Sequence, residues 1–132
     1  MNRTNPPGTE GKKVLILEDD PLIQRCVEIC MRKAGYHPEV YSSVDEAIRA
    51  VREGRYALVI TDYKLSTRLT GLDFLIFLRE ENFRIPAVFM SATNTDSLAL
   101  QAIKLGAFAF LPKPFDAAFL LATCRAAMAC AA

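Results

Sequence analysis

Several features that would point to particular classes of protein are scarce or missing in this 132-residue sequence. His37 is the only histidine, so Ser-His or Cys-His nucleophile chemistry would have one candidate base. The net charge is +1 and the basic residues are scattered, without the charged footprint of nucleic-acid or membrane-surface binders. No apolar run reaches transmembrane length. We therefore expect a cytoplasmic protein that contacts neither nucleic acid nor membrane directly, with His37 in a structural or exposed position.

The four cysteines do not form a metal-binding pattern. No Cys-x-x-Cys sequence and no neighbouring histidine supports a site, so we expect reduced thiols at Cys26, Cys30, Cys124 and Cys130. Residues 1–11 contain no apolar stretch, which excludes a secretory signal and predicts a disordered N-terminal arm. With 52% apolar residues, residues 12–132 are long enough to form one domain with a hydrophobic core.

Two short apolar runs end abruptly in carboxylates. Val14–Leu17 leads into Glu18-Asp19-Asp20-Pro21, and Leu58–Ile60 leads into Thr61-Asp62. Continuous apolar runs of this length are typical of strands that are buried on both faces of a parallel sheet. Further strands are predicted at residues 39–41, 86–90 and 108–111.

Helical patterns separate these five strand signals. The first predicted helix begins at Pro21, ends before Gly35 and is apolar at Leu22, Cys26, Ile29 and Cys30; the others cover residues 44–53, 70–82, 96–105 and 116–132. Alternating strands and helices predict an α/β three-layer sandwich with a parallel sheet. The favoured topology is the flavodoxin-like (βα)5 fold with strand order 2-1-3-4-5.

In that strand order, acidic side chains from two strands meet at one edge of the sheet. Asp19, Asp20 and Asp62 would lie close together, and carboxylates about 4 Å apart repel by about 4 kcal/mol at an effective dielectric constant of about 20. Oxygen-only ligands suit Mg²⁺. Lys113 would add a positive charge at the end of strand five, and Ser91 would add a hydroxyl, as would Thr93, at the end of strand four.

Each of these residues also has a purely structural explanation. Asp19 and Asp20 would suit the N-cap and first turn of a helix, Asp62 would suit a turn, and Lys113 would suit a solvated surface. The shared position at the carboxyl ends of strands one, three, four and five favours a common site.

Four motifs, in this order, resemble the receiver domain of two-component response regulators, including the chemotaxis receivers. The resemblance extends from Lys13 to about Ala127, and its motifs are Leu17-Glu18-Asp19-Asp20-Pro21, Ile60-Thr61-Asp62, Met90-Ser91-Ala92 and Leu111-Pro112-Lys113-Pro114-Phe115. It implies that Asp62 accepts a phosphoryl group from a histidine kinase or a histidine phosphotransfer protein.

The resemblance also assigns roles around Asp62. It implies Mg²⁺ ligation by the Asp20 and Asp62 side chains, by Asp19 mainly through water and by the Lys64 backbone carbonyl, with Lys113 neutralising phosphoryl oxygens. It implies a signalling domain that catalyses at most its own phosphorylation and dephosphorylation.

The same resemblance describes how the signal would leave the domain. Ser91 and Phe110 would act as switch residues, and the face formed by helix four, strand five and helix five would change its contacts with an unknown downstream protein. It also implies a cis Lys113-Pro114 peptide bond.

The sequence departs from the family pattern in three places. The proline that usually follows the phosphoacceptor is absent, and the loop to Gly71 is one residue longer than the family pattern. Phe110 replaces a frequent tyrosine. Lys64 and Thr93 occupy positions that tune dephosphorylation, so the phosphoryl lifetime is left open.

Three other classes of function compete with this interpretation. A haloacid-dehalogenase-type phosphatase would need a second Asp two residues after Asp62, where Lys64 stands. A flavin carrier would place its cofactor phosphate near Glu18-Asp19-Asp20, which would repel it. A degenerate receiver that acts as a phosphorylation-independent scaffold is the alternative that we retain.

The last helix leaves two interpretations open. The sequence leaves no residues after this helix for a DNA-binding domain, so we expect a stand-alone or excised receiver. Arg125 is its only charge after Asp116. Either this apolar helix faces a partner, for example in a homodimer, or one stripe of it packs on the sheet.

Overall fold

The computed structural model describes residues 11–65, 68–92 and 96–131. The chain alternates strands and helices throughout. Their bounds are β1 Lys13–Leu17, α1 Pro21–Lys33, β2 His37–Tyr41, α2 Val44–Glu53, β3 Leu58–Asp62, α3 Gly71–Glu80, β4 Ala87–Ser91, α4 Asp96–Lys104, β5 Ala109–Pro112 and α5 Ala117–Ala131. The N-terminal arm predicted for residues 1–11 lies, except for Gly11, outside the described residues.

The five strands form one parallel sheet in the order β2-β1-β3-β4-β5. This confirms the predicted flavodoxin-like fold. Alternate residues of β1 belong to two hydrophobic cores, with Leu15 and Leu17 in one and Val14 and Ile16 in the other. Helices therefore cover the sheet on both sides, which is why the central strands are continuously apolar.

The apolar residues that predict α1 are mostly not the residues that it buries. Its buried residues are Val27 and Met31, whereas Leu22 is 70% exposed, Ile29 is 42% exposed and Cys26 is exposed. Two apolar stripes run along this helix at similar spacing, and the sheet covers only one of them. Periodicity alone does not identify which stripe is buried.

The start of α3 is packed against the end of β3. Thr70 and Asp73 form a capping box at the first turn of α3, as the sequence predicts. The Gly71 amide donates to the Tyr63 carbonyl at 2.9 Å, and a Cβ at Gly71 would lie 1.9 Å from the Asp62 carbonyl oxygen. Only glycine permits this approach, which fixes the loop after Asp62.

The last helix packs on the sheet through a narrow stripe. Leu120, Cys124 and Ala127 of α5 are buried, whereas Phe119 is 55% exposed. This supports the interpretation in which one stripe faces the sheet; homodimer formation through α5 stays a prediction. All four cysteines are free, as predicted, and His37 is exposed. None of the helices among the described residues is long and apolar enough to cross a membrane.

Candidate functional site

Three carboxylates meet at the carboxyl ends of β1 and β3. Glu18, Asp19 and Asp62 each offer an oxygen, and these atoms lie within 4.8 Å of one another. Glu18 is fully buried and Asp62 is 6% exposed. The parallel pairing of β1 with β3 places both strand ends at the same edge, so this clustering follows from the topology.

Lys113 links two of these carboxylates from the end of β5. Its Nζ lies 2.8 Å from Glu18 Oε1 and 3.2 Å from Asp62 Oδ2. The Lys113 amide donates to the Ser91 carbonyl at 2.8 Å, which holds the segment after β5 against β4. The Lys113-Pro114 peptide bond is cis, as the family resemblance predicts. Lys113 is thus part of the site and not a solvated surface charge.

The assignment of Asp20 as a metal ligand needs correction. Asp20 is the N-cap of α1, and its Oδ1 accepts hydrogen bonds from the Leu22 and Ile23 amides at 2.9 and 3.4 Å. Its exposed side chain does not belong to the group that Glu18 forms with Asp19 and Asp62. The signal was present in the sequence, because proline favours the first helical position and the residue before it is then the N-cap.

Glu18 is the site residue that sequence reasoning missed. Its Oε1 accepts from Lys113, its Oε2 accepts from the Asp20 amide at 3.0 Å, and the Gln24 side-chain amide donates to its backbone carbonyl. If Asp20 is assigned to the helix cap, the two acidic residues after β1 that remain for the site are Glu18 and Asp19.

Burial, with a smaller contribution from neighbouring carboxylates, makes Glu18 and Asp62 costly to ionise. Desolvation raises the pKa of Asp62 above its ordinary value although the nearby Lys113 ammonium opposes the shift. Desolvation also raises the pKa of Glu18, again against Lys113. Burial alone would lower the pKa of Lys113, but the hydrogen bond to Glu18 and the charge of Asp62 raise it. One ammonium therefore faces three acidic groups.

This arrangement fits a divalent cation. The group contains only carboxylate oxygens, which are the ligands that Mg²⁺ prefers, and no histidine or cysteine belongs to it. Three carboxylates beside the single Lys113 ammonium leave this group with an excess of negative charge when the carboxylates are ionised. A divalent cation would supply the missing positive charge.

The remaining predicted site residues lie around this group or outside the described part. Ser91 is 1% exposed at the end of β4, next to the strand position paired with Asp62. Phe110 on β5 is half-buried and stacks on Phe89 with ring centroids 6.0 Å apart. The Lys64 side chain is exposed in the loop after β3. Thr93 lies outside the described residues.

Comparison with known proteins assigns the chain to a family. A sequence model of the response regulator receiver domain matches residues 14–125, which is most of the chain. The chain belongs to the response regulator receiver domain family. This receiver domain is 31% identical over 119 residues to the uncharacterized transcriptional regulatory protein YkoG of Bacillus subtilis, with 90% of this chain and 52% of YkoG covered.

Other relatives show the same pattern of partial coverage. The DNA-binding transcriptional regulator NtrC of Rhizobium meliloti is 30% identical over 119 residues, with 90% of this chain and 24% of NtrC covered. This receiver domain thus spans about half or less of the length of these two relatives.

Solved receiver structures have the same fold. The Vibrio cholerae chemotaxis protein CheY4 superposes with a TM-score of 0.81 at 25% identity, covering 89% of this chain and 98% of CheY4. The receiver domain of Francisella response regulator 1452 superposes with a TM-score of 0.86 at 23% identity, covering 92% of this chain and all of that one.

Proposed function

We propose that this receiver domain accepts a phosphoryl group on the Asp62 carboxylate from a phosphohistidine of a histidine kinase or histidine phosphotransfer protein. The observation that carries the proposal is the position of Lys113, whose Nζ contacts both Asp62 and Glu18. A buried carboxylate with an adjacent ammonium is equipped to attack phosphorus and to hold the charge of the product. The domain transmits a signal and acts as a catalyst at most on its own phosphorylation and dephosphorylation.

In the proposed reaction, an Asp62 carboxylate oxygen attacks the phosphorus atom. The oxygen–phosphorus bond forms while the phosphorus–nitrogen bond to the donor imidazole breaks, and the imidazole keeps the electron pair and takes up a proton. Lys113 offsets negative charge on the phosphoryl oxygens. The Tyr63 amide, 2.9 Å from Asp62 Oδ1, orients the carboxylate.

The proposed cation site uses Glu18, Asp19 and Asp62, with the Lys64 backbone carbonyl as a further ligand. Bound Mg²⁺ would neutralise charge on the carboxylates and the phosphoryl oxygens. Because Glu18 is held by the Asp20 amide and by Lys113, its carboxylate is oriented before any cation binds. Free cysteines fit a reducing compartment, so the proposal includes a cytoplasmic location.

The phosphodonor would dock on the uncovered stripe of α1. Leu22, Cys26 and Ile29 are exposed, and Leu22 lies in the first turn of α1, which follows the acidic edge directly. An exposed apolar stripe beside a reaction site is typical of a protein-binding surface. A bound donor would therefore present its phosphohistidine close to Asp62.

The output face would lie on the other side of the site. Ser91 would turn toward the phosphoryl group, and Phe110 would respond through its packing on Phe89. These movements would shift the output face between two conformations. Exposed apolar residues on this side belong to α4, to α5 and to the residue before β5; they are Leu100, Ile103, Phe108 and Phe119. They supply apolar surface for an unknown downstream protein.

The proposal is tested by incubating the protein with acetyl phosphate and Mg²⁺ and measuring its intact mass. We expect one added phosphoryl group on the wild type and none on Asp62→Asn. Asp45→Asn is the matched control, because Asp45 is exposed on α2, and it should react like the wild type. Equal labelling of Asp62→Asn would refute the assignment.

A further inference from the structure

A cavity lies between α1 and α5, lined by residues that the proposed phosphorylation does not use. Its volume is about 420 Å³, and it is lined by Ala117 together with Cys30, Lys33, Ala34, Ala118, Leu121 and Arg125. This volume is within the range of small-molecule sites, which combine apolar walls with a few polar groups.

Both cations of the cavity lack an anionic partner. Among the described residues, no carboxylate lies within 4.0 Å of Lys33 or Arg125. The Nε atom of Arg125 is buried and has no hydrogen-bond acceptor within the described part of the chain. An unsatisfied buried donor lowers stability, so an acceptor that reached this guanidinium would relieve that cost.

The other walls are small and apolar. The three alanines and Leu121 leave space where larger side chains would fill the gap between the helices. Cys30 adds no charge, because burial raises the pKa of its thiol; its Sγ lies 3.7 Å from the Ala117 carbonyl, to which it donates. The cavity therefore has a positive part and an uncharged, apolar part.

We propose that this cavity binds a small organic anion that has one carboxylate on a short aliphatic chain. The carboxylate would pair with the Arg125 guanidinium and the Lys33 ammonium, since charge-assisted bonds to arginine are among the strongest that a carboxylate makes. The aliphatic chain would lie against Ala34, Ala118 and Leu121 and remove their apolar surface from water. This inference is independent of phosphorylation at Asp62.

The experiment is a calorimetric titration of the full chain with octanoate, accompanied by amide chemical shifts that locate the bound anion. We expect saturable binding with shifts at α1 and α5. Arg125→Gln should weaken binding about tenfold or more, because it removes a charged hydrogen bond. Ala118→Leu should abolish binding by filling the cavity, and since Ala118 is exposed on a helix, this variant should fold normally.

The controls separate charge from apolar contact. Lys104→Gln removes an exposed charge on α4 and should bind octanoate like the wild type. Octan-1-ol, which has the same chain without the charge, should bind at least about tenfold more weakly. Absence of octanoate binding, equal binding of octanol, or unchanged binding to Ala118→Leu would each overturn the proposal.

Discussion

Replacing Asp62 by Asn should stabilise the protein in the absence of divalent cations. The substitution keeps the size of the side chain and the Oδ1 acceptor for the Tyr63 amide, but it removes a negative charge from a group of three carboxylates. The residue that we assign to phosphorylation would thus be held in the fold at a cost in stability.

The size of the effect follows from the distances. The oxygens of Glu18 and Asp19 lie within 4.8 Å of Asp62, so each repels it by at least about 3.5 kcal/mol at an effective dielectric constant of about 20. Lys113, at 3.2 Å, attracts it by about 5 kcal/mol on the same scale. Because Asp19 is half-exposed and partly screened, we expect a net gain of about 1 to 2 kcal/mol in the free energy of unfolding.

The assay is urea unfolding of both proteins with chelator present, at several pH values. The raised pKa values of Asp62 and Glu18 mean that the folded state favours their protonated forms. Wild-type stability should therefore rise as the pH falls from above the raised pKa values toward the ordinary carboxyl range, and fall as the pH rises through the raised pKa values. Asp62→Asn should show a shallower rise, because only Glu18 then contributes. The pKa of Glu39 is depressed, so its contribution to stability has the opposite sign and is lost as the pH falls. That loss occurs at lower pH than the changes from Asp62 and Glu18.

A matched control and an added cation complete this test. Glu80→Gln removes an exposed carboxylate at the end of α3 and should change stability by less than about 0.5 kcal/mol. Added Mg²⁺ should stabilise the wild type more than Asp62→Asn. Equal or lower stability of Asp62→Asn in chelator would refute the view that the three carboxylates repel one another.

Two further predictions concern the loop after β3 and the stripe on α1. Gly71→Ala should lower the free energy of unfolding by about 3 kcal/mol, because its Cβ would overlap the Asp62 carbonyl. Gly54→Ala should cost less than about 1 kcal/mol, because its only tight contact would be with the flexible end of Lys13, and Ala50 and Tyr56 would lie at ordinary contact distance. Equal losses for the two variants would contradict this explanation. Leu22→Ser should slow phosphorylation by a histidine kinase but not by acetyl phosphate, and a similar effect on both donors would exclude α1 as the docking surface.

The sequence was sufficient to predict the fold because the central strands are buried on both faces. Val14–Leu17 and Leu58–Ile60 are continuously apolar, and their carboxyl ends coincide in a parallel sheet. The acidic edge followed from this topology together with Lys113. The face of α1 could not be predicted, because Leu22, Cys26 and Ile29 have a helical spacing similar to that of Val27 and Met31, and only tertiary packing distinguishes the two stripes.

The acidic pair illustrates a different kind of error. Three consecutive acids precede Pro21, and their chemistry does not distinguish a helix cap from a cation ligand. Backbone geometry does, because the residue before the first turn points its carboxylate at the free amides of the helix. Asp20 therefore caps α1, and Glu18 turns toward Lys113 and Asp62.

The central claim is that Asp62 shares a cation site with Glu18 and Asp19, and the most direct measurement is the Mg²⁺ dependence of phosphorylation by acetyl phosphate. We expect Glu18→Gln to need at least about tenfold more Mg²⁺ than the wild type, since it removes a carboxylate of that site. Asp20→Asn, which keeps an N-cap oxygen, should need a similar concentration to the wild type. The opposite result, with Asp20→Asn impaired and Glu18→Gln unaffected, would contradict the site described here.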